Sequence, residues 1–111
     1  MKFLIIGTMK DAASTLPPAI QRQLLEASAA WVNQQRQAGK VLEVYVTGAL
    51  ERTITICEHE SADDLAQVTS TLPMQGLMNL EVYTLADFDG VIKALIDSAK
   101  RAEQLFPAPP R

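Results

Sequence analysis

The sequence predicts an α+β domain whose elements follow the order βαββαβ, with one further helix after the last strand. Apolar and polar residues alternate through Val41–Glu58, as they do in two paired strands joined by a short turn. Apolar residues recur at helical spacing from about Pro18 to Gln37 and again after Ser61. Short apolar runs at Phe3–Met9 and Met78–Leu85 supply the remaining strands. This order is the split βαβ, or ferredoxin-like, arrangement.

The first strand and the first helix have recognisable boundaries. Phe3–Met9 is almost entirely apolar, which is typical of a central strand covered on both faces. Residues 10–18 form a predicted loop. Pro17 and Pro18 suit a helix start, because the first turn does not need their missing N–H groups. Gly39 is the predicted C-cap, since glycine tolerates the left-handed conformation that ends many helices.

The hairpin predicts two unlike sheet faces. A register that pairs Val46 with Ile54 and Val44 with Ile56 keeps each face uniform, and a slip of one residue would mix them. We therefore predict an apolar face under two helices and a mixed polar face opposite, which suits a two-fold dimer. The apolar face contains Leu42, Val44, Val46, Ile54, Ile56, Leu80 and Val82. The polar face contains Glu43, Tyr45, Thr47, Thr55, Cys57 and Tyr83.

The second helix begins at a capping signal. Ser61 is the predicted N-cap, and Asp64 three residues later answers it in the manner of a capping box. Leu65 begins the inner stripe of this helix, and Pro73 ends the helix. His59 is the single histidine of the chain. It could be a general base or a metal ligand, but a lone histidine is a poor metal site. We predict that it is exposed to water at the helix entry, because many surface histidines have no function.

A third helix is predicted at about Phe88–Phe106. Its apolar residues form a continuous stripe that must be covered by the chain's own sheet or by another subunit. We divide the chain into a ferredoxin-like domain of residues 1–86, an added amphipathic helix of residues 87–106 and a tail of residues 107–111. Three prolines in the tail predict an extended and mobile segment.

Composition narrows the class of protein. A chain of 111 residues can form one domain with a core that needs no disulfide or metal. Its net charge of −3 does not favour a surface that follows phosphates, so we predict no nucleic-acid partner. No stretch approaches the roughly 20 apolar residues of a membrane span, so we predict no membrane partner. The single Cys57 suits a reducing compartment, and we predict a cytoplasmic protein.

The polar face also carries the candidate functional residues. In one interpretation it lines a pocket in which Glu43 is the acid/base group and Tyr45 donates a hydrogen bond in catalysis. Thr47, Thr55 and Tyr83 would then bind the ligand. In the other interpretation this face is a dimer interface with satisfied polar groups. We favour the interface, because interfaces are rich in tyrosine.

Three further side chains have both a functional and a structural interpretation. Lys10, in the loop after the first strand, could bind an anionic ligand or simply be exposed. Cys57 has no histidine at a recognised spacing, so we predict a buried apolar residue and not a nucleophile. Trp31 lies at helical spacing and is predicted to pack in the core.

Several short motifs resemble the muconolactone isomerase-like group of dimeric α+β barrels. They are Gln37-Ala38-Gly39-Lys40 before the hairpin, Glu60-Ser61-Ala62-Asp63-Asp64-Leu65, Ser70-Thr71-Leu72-Pro73 and Leu80-Glu81-Val82-Tyr83-Thr84-Leu85. The resemblance covers roughly residues 1–86. It implies a homodimer or larger oligomer that uses no metal and no organic cofactor.

The resemblance also implies a reaction. The group's named activity shifts a double bond in a small unsaturated lactone, which requires proton removal beside a carbonyl and reprotonation elsewhere. The predicted function is therefore a cofactor-independent isomerase for a small unsaturated carbonyl compound or lactone. The alternative is a non-catalytic homo-oligomeric module that binds a small hydrophobic ligand or a protein partner.

Overall fold

A computed structural model describes residues 1–109 and confirms the predicted α+β class and element order. The strands are β1 (Lys2–Met9), β2 (Val41–Val46), β3 (Arg52–Glu58) and β4 (Met78–Leu85). The helices are α1 (Pro18–Gln37), α2 (Ala62–Thr69) and α3 (Phe88–Leu105). Short 3₁₀ helices at Asp11–Thr15 and Gln75–Leu77 occupy segments that the sequence predicts as a loop and a turn.

The four strands form one antiparallel sheet in the order β2-β3-β1-β4. β1 is therefore central, as its apolar sequence predicts, and pairs with β3 on one side and β4 on the other. α1 and α2 cover one face of this sheet, which we call the inner face. The opposite face, which carries neither helix, is the outer face.

The predicted hairpin register is wrong by one residue. Val46 lies opposite Thr53 and Val44 opposite Thr55, so the isoleucines of β3 are not their partners. The turn sets this register: the Thr47 N–H donates to the Arg52 carbonyl over 2.9 Å, and the Arg52 N–H donates to Thr47 Oγ1 over 3.2 Å. The alternation of apolar and polar side chains does not predict the geometry of this turn, and so it does not predict the register.

The register change redistributes the two predicted faces. Residues directly opposite each other on paired strands share a face. The inner face therefore carries Val44, Val46, Thr53, Thr55 and Cys57, whereas Glu43, Tyr45, Ile54, Ile56 and Tyr83 lie on the outer face. The prediction that Thr55 and Cys57 share a face with Tyr45 is wrong. A β-bulge at Leu42, between the Val41 and Glu43 pairs, adds a residue to β2 and keeps Val41 buried.

The end of α1 and the start of α2 agree with their sequence signals, whereas the end of α2 does not. Gly39 has a φ of 74°, and the N–H groups of Gly39 and Lys40 donate to the carbonyls of Arg36 and Gln35, which is a Schellman motif. Ser61 Oγ accepts a hydrogen bond from the Asp64 N–H at 3.0 Å and caps α2. α2 ends at Thr69, four residues before Pro73.

The core lies between the inner face and the helices. Phe3, Cys57 and Leu65 form its buried cluster, with exposed fractions of 1%, 1% and 5%. α3 does not contribute to this core: apart from Ile92, which is partly covered, all its residues are exposed, and the molecule extends over 72 × 30 × 23 Å. The division of the chain into a domain of residues 1–86, an added helix of residues 87–106 and a tail stays a prediction. The predicted mobile tail spans residues 107–111, and its last two residues, 110 and 111, lie outside the part of the chain that the structure describes.

Candidate functional site

A cavity of about 420 Å³ lies between the inner sheet face and the two covering helices. α1 contributes Ser28, Trp31 and Val32 to its wall, and α2 contributes Leu65 and Val68. The sheet forms the floor, with side chains from all four strands. A volume of this size suits a small organic molecule.

His59 lines this cavity where β3 leads into α2. The prediction that it is exposed to water is wrong, since only 5% of the residue is accessible. Two backbone hydrogen bonds extend the β1–β3 ladder and place it there: the His59 N–H donates to the Met1 carbonyl at 3.0 Å, and the Met1 amino group donates to the His59 carbonyl at 2.9 Å. The ring also packs against Phe3, with centroids 6.3 Å apart.

The carboxylate of Asp64 orients the His59 ring. Asp64 Oδ2 lies 3.1 Å from His59 Nδ1, and the Glu60 N–H donates to the same oxygen at 3.4 Å. Lys40 Nζ lies 3.4 Å from Asp64 Oδ1. With Nδ1 engaged by Asp64, Nε2 is the ring nitrogen that remains for another partner.

These contacts keep Asp64 ionised. Partial burial by itself raises the pKa of the Asp64 carboxyl. The hydrogen bonds from His59 and the Glu60 N–H, together with the charge of Lys40, act in the opposite direction and prevail, so this pKa lies below its ordinary value. The site therefore pairs a carboxyl group of lowered pKa with a buried histidine.

The remaining polar groups of the cavity are uncharged. Within the described part of the chain, no lysine, arginine, aspartate or glutamate lines it. Ser28 Oγ is buried and has no hydrogen-bond partner among residues 1–109, which leaves a hydroxyl free for a bound molecule. Thr53, Thr55 and Thr69 supply further hydroxyls. Burial raises the pKa of the Cys57 thiol, so Cys57 remains protonated, which agrees with its predicted role as a buried apolar residue.

The sequence matches the muconolactone delta-isomerase family over residues 1–90. The chain belongs to the muconolactone delta-isomerase family. This confirms the resemblance predicted from the motifs around α2 and β4. None of the curated proteins matches the chain at a significant level.

Two solved structures share the fold of this chain. The chain is similar to muconolactone isomerase, with a TM-score of 0.68 and 21% identity, over 78% of this chain and 90% of the other. It is also similar to 5-chloro-2-hydroxyhydroquinone dehydrochlorinase from Burkholderia phenoliruptrix in complex with 2,5-dihydroxybenzoquinone. That match has a TM-score of 0.64 and 19% identity, over 81% of this chain and 98% of the other.

Both predicted catalytic residues and one predicted binding residue lie on the outer face, away from the cavity. Glu43 and Tyr45 lie on the outer face, and Tyr45 is 57% exposed. Tyr83 shares that face and donates a hydrogen bond to Glu81 Oε2 at 2.8 Å. The hydrogen bond and the charge of Glu81 raise the pKa of the Tyr83 phenol. Catalytic roles for Glu43 and Tyr45 stay predictions, and they would need a second molecule to enclose the outer face.

The other predicted binding residues are divided among three places. Thr55 lines the cavity on the inner face. Thr47 closes the hairpin turn with its side chain. Lys10 lies at the end of β1 far from His59, beside a second cavity of about 340 Å³, where its Nζ donates to the Gly76 carbonyl at 3.4 Å. The structure therefore does not bring Lys10, Thr47 and Thr55 into one pocket.

The contact between His59 and Asp64 was missed by the sequence analysis, although a signal for it was present. The third helical residue of a capping box can reach back past the N-cap. Asp64 holds that position after Ser61, so its carboxylate lies near the residues just before the helix, which include His59.

Within residues 1–109, no three side chains of histidine, cysteine, aspartate or glutamate come together as a metal site. No helix of the described chain has the length and hydropathy of a membrane span.

Proposed function

We propose that the protein is a small proton-transfer enzyme that shifts a double bond in an unsaturated carbonyl compound, with His59 as the acid/base group. The observation that carries the proposal is the buried His59 at the wall of an apolar cavity, with its Nδ1 held by the Asp64 carboxylate at 3.1 Å. In this role Nδ1–H would donate to Asp64, and Nε2 would accept the proton of the substrate.

The reaction requires one proton and no change in oxidation state. Nε2 of His59 removes a proton from the carbon beside the carbonyl, and the electron pair forms an enolate. Asp64 stabilises the resulting imidazolium, and hydroxyls such as Ser28 Oγ can donate to the enolate oxygen. Nε2 then returns the proton to the far carbon of the conjugated system, which moves the double bond.

The lining of the cavity supports an uncharged substrate. A carboxylate buried beside apolar side chains needs a cationic partner to offset its lost hydration. Lys40, the cation near the site, is engaged with Asp64 on the far side of His59 and does not line the cavity. We therefore propose a neutral lactone or enone as the substrate. The names of the two similar proteins indicate lactone and hydroxyquinone chemistry.

Two lactones test this proposal. The neutral butenolide α-angelica lactone and the acidic muconolactone are each incubated with the protein, and the shift of the double bond is followed by the gain or loss of the ultraviolet absorbance of the conjugated lactone. We expect turnover of the neutral compound in preference to the acid. His59→Gln should lower kcat by at least about 100-fold, the usual contribution of a general base. Asp64→Asn should also lower kcat, whereas Asp63→Asn on the exposed side of the same turn is the matched control and should not.

The outcomes separate the proposal from its alternatives. Equal rates for wild type and His59→Gln would refute the role of His59. A loss of activity in Glu43→Gln with full activity in His59→Gln would move the chemistry to the outer face. Binding of the neutral lactone without turnover, measured by calorimetry, would favour the non-catalytic binding module. Homo-oligomer formation and cytoplasmic location remain predictions.

A further inference from the structure

We propose that the ligand of the cavity, and thus the substrate of the reaction, is a neutral lactone or enone that carries a linear apolar chain. The carbonyl head lies at His59 and the chain extends toward Met9. This inference rests on the proposed function, which places the reacting carbon beside His59. The chain occupies the far end of the cavity, which we define as its chain-binding end and which is lined by Met9, Leu25, Met74, Met78 and Leu80.

The cavity extends along most of β1. His59 pairs with Met1 through backbone hydrogen bonds at one end of this strand, and Met9 lies opposite Met78 at the other end. His59, Met9 and Met78 all line the cavity. β1 has eight residues and is about 27 Å long at about 3.4 Å per residue. The cavity is therefore elongated, and a lactone ring at His59 leaves its far end open to a further part of the ligand.

The volume of the cavity also exceeds that of a bare lactone ring. A water molecule takes about 30 Å³ in the liquid, so a volume of about 420 Å³ corresponds to about 14 non-hydrogen atoms. The ring and carbonyl of a butenolide account for about six of them, which leaves about eight atoms for a chain. An octyl chain is therefore the length that fills the cavity.

The two ends of the cavity differ in burial. Near His59 the wall contains Cys57 and Leu65, which are 1% and 5% exposed. At the chain-binding end the wall contains Met9 and Leu25, which are 39% and 59% exposed. A molecule therefore enters at the chain-binding end and reaches His59 with its leading group. The trailing part of a linear ligand remains beside Met9 and Leu25.

The chain-binding end is apolar and adaptable. Methionine side chains are flexible and polarizable, so they can pack against apolar chains of different length. Met9, Leu25 and Met74 also line the second cavity of about 340 Å³, so the two cavities meet at these residues. A chain longer than octyl therefore has room to continue into the second cavity.

Gly7 keeps the floor low at this end. A Cβ atom at Gly7 would lie 2.5 Å from Met78 Cε and 2.7 Å from Thr53 Oγ1. Without a Cβ at this position, both side chains lie close to the sheet backbone. The space above them remains available to the chain of a ligand.

Saturated γ-lactones test the chain-binding end without any reaction. γ-Valerolactone and γ-dodecalactone share one lactone ring and carry a methyl and an octyl chain, respectively. Calorimetry should show a Kd that is at least about 100-fold lower for the octyl compound, because each buried CH₂ group lowers Kd about threefold. Equal Kd values would overturn the inference. Binding of dodecanoate as tight as that of γ-dodecalactone would overturn the neutral head.

The reactive homologues test the substrate. In α-angelica lactone and in its homologue with an octyl chain, a proton leaves the ring carbon beside the carbonyl and returns to the ring carbon that bears the chain. The oxidation state is unchanged. We expect a kcat/KM at least about 100-fold higher for the octyl compound. Turnover of α-angelica lactone without this preference would overturn the inference and leave the proposed reaction standing. Tight binding of γ-dodecalactone with no turnover of either homologue would refute the reaction and support the chain-binding end.

Matched tryptophan variants test where the chain lies. Leu80 lies on the inner face opposite Gly7 and lines the cavity, whereas the exposed Asn79 lies on the outer face. Leu80→Trp should reduce the preference for γ-dodecalactone over γ-valerolactone at least about tenfold, because the indole fills the space of the chain. Asn79→Trp should keep the preference of the wild type.

Circular dichroism reports whether these variants fold. Met9→Trp, at the partly exposed end of β1, is the second variant and should act in the same direction as Leu80→Trp. A wild-type preference in the folded chain-binding variants, or an equal loss of preference in Asn79→Trp, would overturn the placement of the chain.

Discussion

His59 and Asp64 show how neighbours decide the chemistry of a residue. A sequence does not show which ring nitrogen of a histidine has a partner. Here Nδ1 contacts the Asp64 carboxylate, so Nε2 is the nitrogen that remains for another partner. Asp64 in turn has three partners, from the end of α1, the end of β3 and the entry to α2. The pair thus also holds three elements together, so it should affect stability as well as activity.

The lowered pKa of Asp64 predicts a pH dependence of stability. A carboxyl whose pKa is lower in the folded state stabilises the fold fully above its ordinary pKa of about 4, and this contribution is lost as the pH falls through the lowered value. Thermal unfolding between pH 2 and pH 6 should therefore show a smaller loss of Tm on acidification in Asp64→Asn than in wild type. Asp63→Asn is the control and should follow wild type. Parallel curves for wild type and Asp64→Asn would contradict the prediction.

At the scale of elements, the boundaries were largely predictable and the pairing was not. Pro18, Gly39 and Ser61 mark helix ends through local backbone chemistry, and the structure has helix ends at these signals. The β2–β3 register depends on the turn hydrogen bonds of Thr47 and on the bulge at Leu42. Period-two alternation reveals neither feature. The bulge adds a residue to one strand, and the turn determines which residues of the two strands lie opposite each other.

The Schellman motif at the end of α1 gives a prediction at this scale. Gly39 has a φ of 74°, where a side chain clashes with the backbone. Gly39→Ala should lower the free energy of unfolding by about 1 kcal/mol in urea titration. Gly48→Ala is the matched control, because Gly48 has no positive φ and open space around its Cα. An equal effect of both substitutions would show that the Gly39 backbone conformation is not the cause.

At the scale of the whole molecule, the cavity and α3 are separate. The cavity combines residues that are distant in sequence, from Ile5 on β1 to Leu80 on β4, and α3 contributes none of its described lining residues. The buried cluster of Phe3, Cys57 and Leu65 is likewise complete without α3. The domain of residues 1–86 should therefore keep its fold when the helix is removed.

A truncation after Ala86 tests this separation. The shortened chain should retain a cooperative unfolding transition and the near-ultraviolet signal of Trp31, because the cavity wall remains intact. If α3 joins two copies, the Tm of the full chain should rise with protein concentration and that of the truncated chain should not. Loss of the cooperative transition on truncation would show that α3 stabilises the fold within a single chain.

The sequence by itself determined the α+β class, the order of the elements, the central position of β1 and the family, because these follow from local periodicity, helix caps and short motifs. It also identified the apolar stripe of α3, whereas its exposure in the single chain came from the structure. The tertiary structure alone decided which residues line the cavity. Thr55 and Cys57 changed faces through a one-residue register shift, and His59 became buried through backbone pairing with Met1. These outcomes depend on contacts between residues far apart in the chain, and such contacts leave no periodic signal in the sequence.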